Sequence, residues 1–488
     1  MKIRLLILLA FSVVYGESQA FCGFYVAKAG AELFNNQSQV IFVRDGNRSV
    51  ITMNNDFKGN VKEFAMVVPV PTVLKRNQIR VADAGLFGKL DAYSGPRLVE
   101  YYDPNPCQIV YNRPTSDALR AVPELYVVED DAEMVEEEYH VVIEATYAVG
   151  EYDILILSAT ESNGLKRWLT DNGYSIPAKA EKVLEPYIKS NLKFFVVKVN
   201  AEAHQLQGYQ SLRPLQIDFE SDKFMLPIRL GMANSAGEQD MIVYALTRNG
   251  RVETANYRTL EIPSNKKIPT FVQEKFGQFY QDLFQKSHEK MGKNSVFVEY
   301  AWTVTPTWSG VKCDPCVGNP PILVDLTQSG VWWLNEPNKD VFFTRLHVRY
   351  ADEKFPQDLE LMVTPNKTHF QGRYILTHPA TGDLSCAAGQ TYQTELNNRR
   401  IDELGNLASL TGWNVAKYSK YVTEGSGWID ERKNEIPVVV PTSEPPSNGP
   451  NNLIWIPLLT LGFAFILLGQ FYLNIRRLAA RNHTGVAG

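Results

Sequence analysis

The chain has 488 residues, 44% of them hydrophobic and 21% charged, with a formal net charge of -5 and a pI near 5.9. That length and apolar content support two or three packed cores, and the mild acidity leaves no basic field for polyphosphate, which excludes nucleic acid as a natural partner. Five cysteines, Cys22, Cys107, Cys313, Cys316 and Cys386, are odd in number, so complete pairing leaves one over.

Lys2 and Arg4 precede an apolar run from Leu5 to Tyr15, and Ser18-Gln19-Ala20 forms a small-x-small cleavage site, so residues 1–20 read as a signal peptide. Cys22 follows Phe21, where a lipoprotein signal needs a small residue. An exported chain meets an oxidising space, in which bridges are the default state of its cysteines. Loop-closure entropy would give a Cys22–Cys107 bridge about 4 to 5 kcal/mol and a Cys313–Cys316 bridge about 2 kcal/mol. The pairing itself stays open.

In the N-terminal α+β lobe expected over 21–200, Val40 to Arg44 and Arg48 to Met53 are β-rich runs about Asp45-Gly46, which predicts a hairpin. Phe64 to Val70 predicts a buried strand, and Asp83 to Tyr93 a short helix closed by Gly95-Pro96. Seven of the ten residues from Glu129 to Glu138 are acidic. Such a run could hold calcium only if its carboxylates converged, and it lacks the spacing of a calcium loop, so a solvated loop is expected. Tyr139 to Val149 and Tyr152 to Ser158 predict strands, Asn163 to Asp171 and Ala178 to Ser190 helices, and Phe194 to Val199 a further strand.

The middle region, 201–298, is β-rich, and Met241 to Thr247 with Arg251 to Tyr257 about Asn249-Gly250 carries the strongest hairpin signal in the chain. It ends in an amphipathic helix within Pro269 to Lys290, with Phe271, Val272, Phe276, Phe279, Tyr280, Leu283 and Phe284 at helical spacing. A Trp- and Tyr-rich lobe is expected over 299–430, followed by a Pro-rich spacer over 431–452 that cannot form a core. Leu453 to Leu473 then runs 21 residues without a charge, enough as a helix to rise about 31 Å and cross a bilayer. Arg476, Arg477 and Arg481 mark the tail at 474–488 as cytoplasmic. The fold class expected is α+β: a β-rich, multi-lobe extracytoplasmic region with several helices, plus one C-terminal transmembrane helix.

Cys313-Asp314-Pro315-Cys316 has the spacing of a dithiol redox site, but Val317-Gly318-Asn319-Pro320-Pro321 would break the helix whose N-terminus stabilises a catalytic thiolate. Ordinary bridging is therefore expected, and Val317 stands where attached haem needs a histidine. Cys313, Cys316 and Cys386 with His347, His369 or His378 have zinc-ligand chemistry at no zinc-finger spacing, so neither metal nor cofactor is expected. Alternation from Thr344 to Tyr350 puts Arg345, His347 and Arg349 on one face. That stripe is either an anion-binding face or a solvated strand face partnered by Asp352, Glu353, Asp358 or Glu360, and the second is expected. Tyr300, Trp302, Trp308, Trp332 and Trp333 could line a sugar platform, although aromatics this dense belong more often to a core. Serine-x-x-lysine occurs at Ser190, Ser264, Ser287 and Ser309 without the accompanying motifs of serine acyl-enzymes.

The stretches FAMVVPVP (64–71), PRLVEYYDP (96–104), YDILILSA (152–159), GYSIP (173–177), EYAW (299–302), CDPC (313–316), TRLHVRY (344–350), FQGRY (370–374) and LTGW (410–413) together resemble an uncharacterised bacterial envelope family, domain of unknown function 2330. The resemblance implies bacterial origin, export and frequent membrane attachment, and no activity. The function expected is a single-pass envelope protein whose non-enzymatic ectodomain binds a wall component or another envelope protein. The alternative is an extracytoplasmic thiol–disulfide oxidoreductase using Cys313 and Cys316.

Overall fold

The computed structural model describes residues 24–28, 34–35, 38–54, 57–58, 65–108, 141–172, 174–175, 180–200, 203, 212–233, 237–305, 320–336 and 339–424. The expected signal peptide, acidic run, Cys22, Cys313, Cys316, Pro-rich spacer, apolar run at 453–473 and basic tail lie outside them. Among the described residues, no helix is long and apolar enough to cross a membrane.

Two large sheets face each other. Nine strands make the larger, whose path runs Arg258–Glu261, Ser295–Val304, Val341–Tyr350, Gln239–Thr247, Ser38–Asp45, Arg48–Asn54, Leu215–Glu220, Ile79–Val81, with Phe370–Gln371 paired beside Ser295–Val304. Six strands make the smaller, in the order Tyr174–Ser175, Phe24–Lys28, Ala65–Val70, Lys193–Val199, Tyr152–Ala159, Val141–Val149. Period-two alternation sends Val40, Phe42, Met241, Val243, Val296 and Val298 of the larger sheet against Met66, Val68, Ile154, Phe195 and Val197 of the smaller, forming the main core.

Both sheets are covered on their outer faces too, which is why their strands read as near-continuous apolar runs. Helices Ser162–Asp171 and Ala180–Lys189 bury Leu165, Trp168, Leu184 and Tyr187 against Val67, Phe194 and Val196 of the smaller sheet. On the larger sheet, helix Gly85–Ser94 sets Leu86, Phe87, Leu90 and Tyr93 against Tyr244, Tyr300 and Phe343. Beside it, Phe276–Lys290 and Ala387–Thr411 close a core around Phe297, Tyr374 and Leu376. Mixed α+β structure with abundant strand is thus the fold class, as the periodicities indicate.

The Asp45-Gly46 hairpin forms as expected, with Gly46 at φ 56°. The Asn249-Gly250 hairpin does not. Both edges of Gln239–Thr247 are already occupied, by Val341–Tyr350 antiparallel and by Ser38–Asp45 parallel, so the chain leaves the sheet and Val252–Thr254 pairs with Leu361–Val363. Gly250 is needed there for room, because a Cβ would stand 2.2 Å from the Thr364 carbonyl oxygen. The lobes expected at 21–200, 201–298 and 299–430 are interleaved, since each contributes strands to the larger sheet.

Candidate functional site

The stripe Arg345, His347, Arg349 does share one face of Val341–Tyr350, but that face is not solvated. Arg345 is 6% exposed and His347 8%, and helix Phe276–Lys290 lies over them, placing the Phe284 ring 3.7 Å from the His347 ring, centroid to centroid and nearly parallel.

A slip in strand pairing supplies the anion. Val298 pairs with Leu346 and Tyr300 with Arg345, so Glu299 is the extra residue of a β-bulge, and the alternation of Ser295–Val304 reverses across it. Phe297, Glu299 and Tyr300 consequently all leave the main core. Glu299 is fully buried. Its Oε2 accepts from Arg345 Nε at 2.5 Å, its Oε1 lies 2.7 Å from His347 Nδ1, and the Tyr280 hydroxyl donates to the same Oε1. Burial by itself would raise the Glu299 carboxyl, but His347 and Arg345 outweigh it and hold the group at about 2.

The network extends in two directions. Toward helix Gly85–Ser94, Arg345 Nη1 donates to Asp91 Oδ1 at 2.6 Å, and the Tyr244 hydroxyl donates to the same oxygen at 2.9 Å. Toward the start of Gln239–Thr247, His347 Nε2 lies 3.1 Å from Asp240 Oδ1, and Arg349 grips the Asp240 carboxylate in a fork of 2.8 and 2.7 Å. Burial would lower the His347 pKa, yet Glu299 and Asp240 raise it above its usual value. Both ring nitrogens face carboxylate oxygens, and only the imidazolium donates from both.

An imidazolium so held has no lone pair with which to take a proton from a substrate, and Phe284 covers its face. The arrangement therefore clamps two helices to the sheet. It corrects the anion-face reading, since each cation of the stripe is already paired with a carboxylate of this chain. The carboxylates found on the stripe are Asp91, Asp240 and Glu299. Asp358 instead receives Arg229 and the Tyr187 hydroxyl.

Cys107 is bonded to Cys386, with sulfurs 2.08 Å apart across a sequence separation of 279. This replaces the hypothetical Cys22–Cys107 pairing and removes Cys386 from any zinc set; among the described residues no group of three His, Cys, Asp or Glu could hold a metal. His369 stacks on Trp302, and His378 bonds Glu100 at 2.8 Å. Tyr300 and Trp333 are core residues, so they make no sugar platform, and Trp308 lies outside the described residues.

Glu299, Asp240, Asp91 and Tyr244 were not singled out as site residues in the sequence, and Tyr280 was placed only on the apolar face of its helix. Glu299 carried a signal nonetheless: a lone carboxylate within the apolar run Val296-Phe297-Val298-Glu299-Tyr300-Ala301-Trp302 is tolerable only if paired. The stretches EYAW, TRLHVRY and FQGRY meet at this cluster, with Tyr300 paired both to Arg345 and to Gln371.

No curated protein and no solved structure matches the chain. The sequence pattern of a family described as uncharacterized proteins conserved in bacteria, domain of unknown function 2330, matches residues 16–362, taking in EYAW and TRLHVRY and ending before FQGRY and LTGW. The chain belongs to that family.

Proposed function

We propose that this is a single-pass cell-envelope protein whose extracytoplasmic region, from residue 21 to 452, serves as a non-enzymatic binding or structural ectodomain. Residues 453–473 anchor it, 474–488 face the cytoplasm, and the partner is a wall component or another envelope protein. The Cys107–Cys386 bridge is the observation that carries the reading, because such bridges persist in oxidising, exported compartments. The leader-like 1–20, the uncharged run and its arginine flank support the same topology. The commitment of His347 to two carboxylates supports a role without catalysis for the buried cluster around Glu299.

Protease added to spheroplasts tests it. Degradation of the region before 453 with survival of a tag on the tail is the expected result; a protected ectodomain, or Cys107 and Cys386 alkylated as free thiols in intact cells, overturns it.

A further inference from the structure

Where the main core opens at the Asp45-Gly46 turn, a cavity of about 310 Å³ lies between the hairpin, the end of Gln239–Thr247 and strand Leu359–Val363. That volume is at the lower end of the range for small-molecule sites. Arg44 lines it and is 6% exposed. Its position follows from alternation: Val40, Phe42 and Arg44 share the inner face, so the guanidinium stands at the open end of an apolar row.

The hydrogen bonds of Arg44 are made through one nitrogen. Nη1 donates to the Asn47 carbonyl oxygen at 3.0 Å and to Ser49 Oγ at 2.9 Å, and the guanidinium lies 5.5 Å from the centre of the Phe224 ring. All three partners are neutral. No carboxylate among the described residues lies within ion-pair distance, and the Nε–Nη2 edge has no acceptor there. Asp222 acts on Arg44 only from farther away and is held by Asn47 Nδ2 at 2.8 Å. Burial pushes the guanidinium below its usual pKa, with Asp222 only partly opposing. Nε and Nη2 keep some solvent access, and that edge is the fork that matches a carboxylate.

The other cation in the cavity does not share this vacancy. Arg248 bonds Asp45 at 2.9 Å and Glu336 at 2.7 Å. The rest of the wall has a polar side, Asp45, Gly46, Thr247 and Asn249, and an apolar side, Phe224 and Leu361 with Met362 and Val363, the last two 42% and 36% exposed. A hydrated inorganic anion would gain nothing from the apolar side, whereas an amphiphile would be held at both ends.

We propose that this cavity binds a carboxylate attached to a short apolar chain, with the carboxylate on the Nε–Nη2 edge of Arg44 and the chain against Phe224, Leu361 and Met362. This adds a ligand to the binding role proposed above, and the two fail separately, because topology is read by protease and cysteine labelling.

The probe is octanoate, titrated into the full-length chain in lipid nanodiscs with empty nanodiscs subtracted, beside methyl octanoate and inorganic phosphate. Saturable octanoate binding is expected, weakened at least about tenfold in Arg44→Gln and for the ester, as loss of a charge-assisted fork requires. Met362→Asp, at the exposed rim, should weaken octanoate similarly by repelling the carboxylate and guards against a misfolded Arg44 variant. Absence of saturable octanoate binding, equal affinity for acid and ester, or phosphate binding as tightly as octanoate overturns the proposal.

Discussion

Glu299 Oε1 and His347 Nδ1 lie 2.7 Å apart although the strands that carry them slip register at Glu299. The slip is what makes the contact. In unbroken alternation Glu299 and Ala301 would share a face, whereas Ala301 packs in the main core while Glu299 points to the helix-covered side. One inserted residue thereby gives a buried cation pair its anion.

Removing that anion should be costly. Glu299→Gln leaves Arg345 and His347 buried with less compensating charge, and a loss of about 3 to 5 kcal/mol is expected. Denaturant unfolding of the variant beside the parent measures it. A change below about 1 kcal/mol would mean that the network is not a clamp.

The two histidines that flank Phe284 should shape opposite limbs of the pH–stability curve. Burial pushes His288 from 6.5 down to about 4, so between those values the unfolded chain binds a proton that the folded chain refuses, and stability falls as pH drops through that window. His347 is raised, so its contribution is complete below 6.5 and is lost as pH rises through the raised value. Glu299 adds a deeper acid limb, its contribution present above 4.5 and lost as pH falls toward about 2. Melting curves across pH should show His288→Gln flattening the limb between 6.5 and 4, and His347→Gln flattening the alkaline limb. Each limb should lose about 1.4 kcal/mol for every pH unit that separates the folded and unfolded titrations of its histidine.

Phe284→Ala should uncover the clamp. The loss of a fully buried aromatic that stacks on His347 and meets Phe297 edge-on at 5.4 Å should cost about 3 to 5 kcal/mol. Proton exchange at the His347 ring, followed by NMR, should accelerate in the variant. Unchanged exchange would show that Phe284 does not control access.

The Cys107–Cys386 bridge closes a long loop, and Cys386 also caps helix Ala387–Thr411, its sulfur accepting from the Gly389 N–H at 3.3 Å. Replacing both cysteines by serine should lower stability by about 2 to 5 kcal/mol. Either single replacement should cost as much, because one leftover thiol makes no bridge. Peptide mapping without reductant should find the Cys107–Cys386 pair in the parent; a Cys22–Cys107 peptide in its place would contradict the pairing.

What could be read from the sequence was local. The strands Ser38–Asp45 and Arg48–Asn54, the helix Gly85–Ser94 and the helix Phe276–Lys290 follow from turn chemistry and periodicity within a few residues. The failure at Asn249-Gly250 is of another kind, for a turn signal cannot know that both neighbours of its first strand come from residues 38–45 and 341–350. The same limit applied to the polar cluster. Alternation placed Arg345, His347 and Arg349 together, but their carboxylates come from residues 91, 240 and 299, and the bulge that aims Glu299 leaves no mark in composition.

The interleaving of the larger sheet sets the order in which the protein can be made. Ser38–Asp45 pairs with Arg48–Asn54 at once, but its other edge waits for Gln239–Thr247, and that strand waits in turn for Val341–Tyr350. An emerging chain shorter than about 350 residues therefore carries open strand edges, the surfaces most prone to pairing with other chains. Contacts across such separations make folding slow, because loop closure comes before the contacts that compensate it.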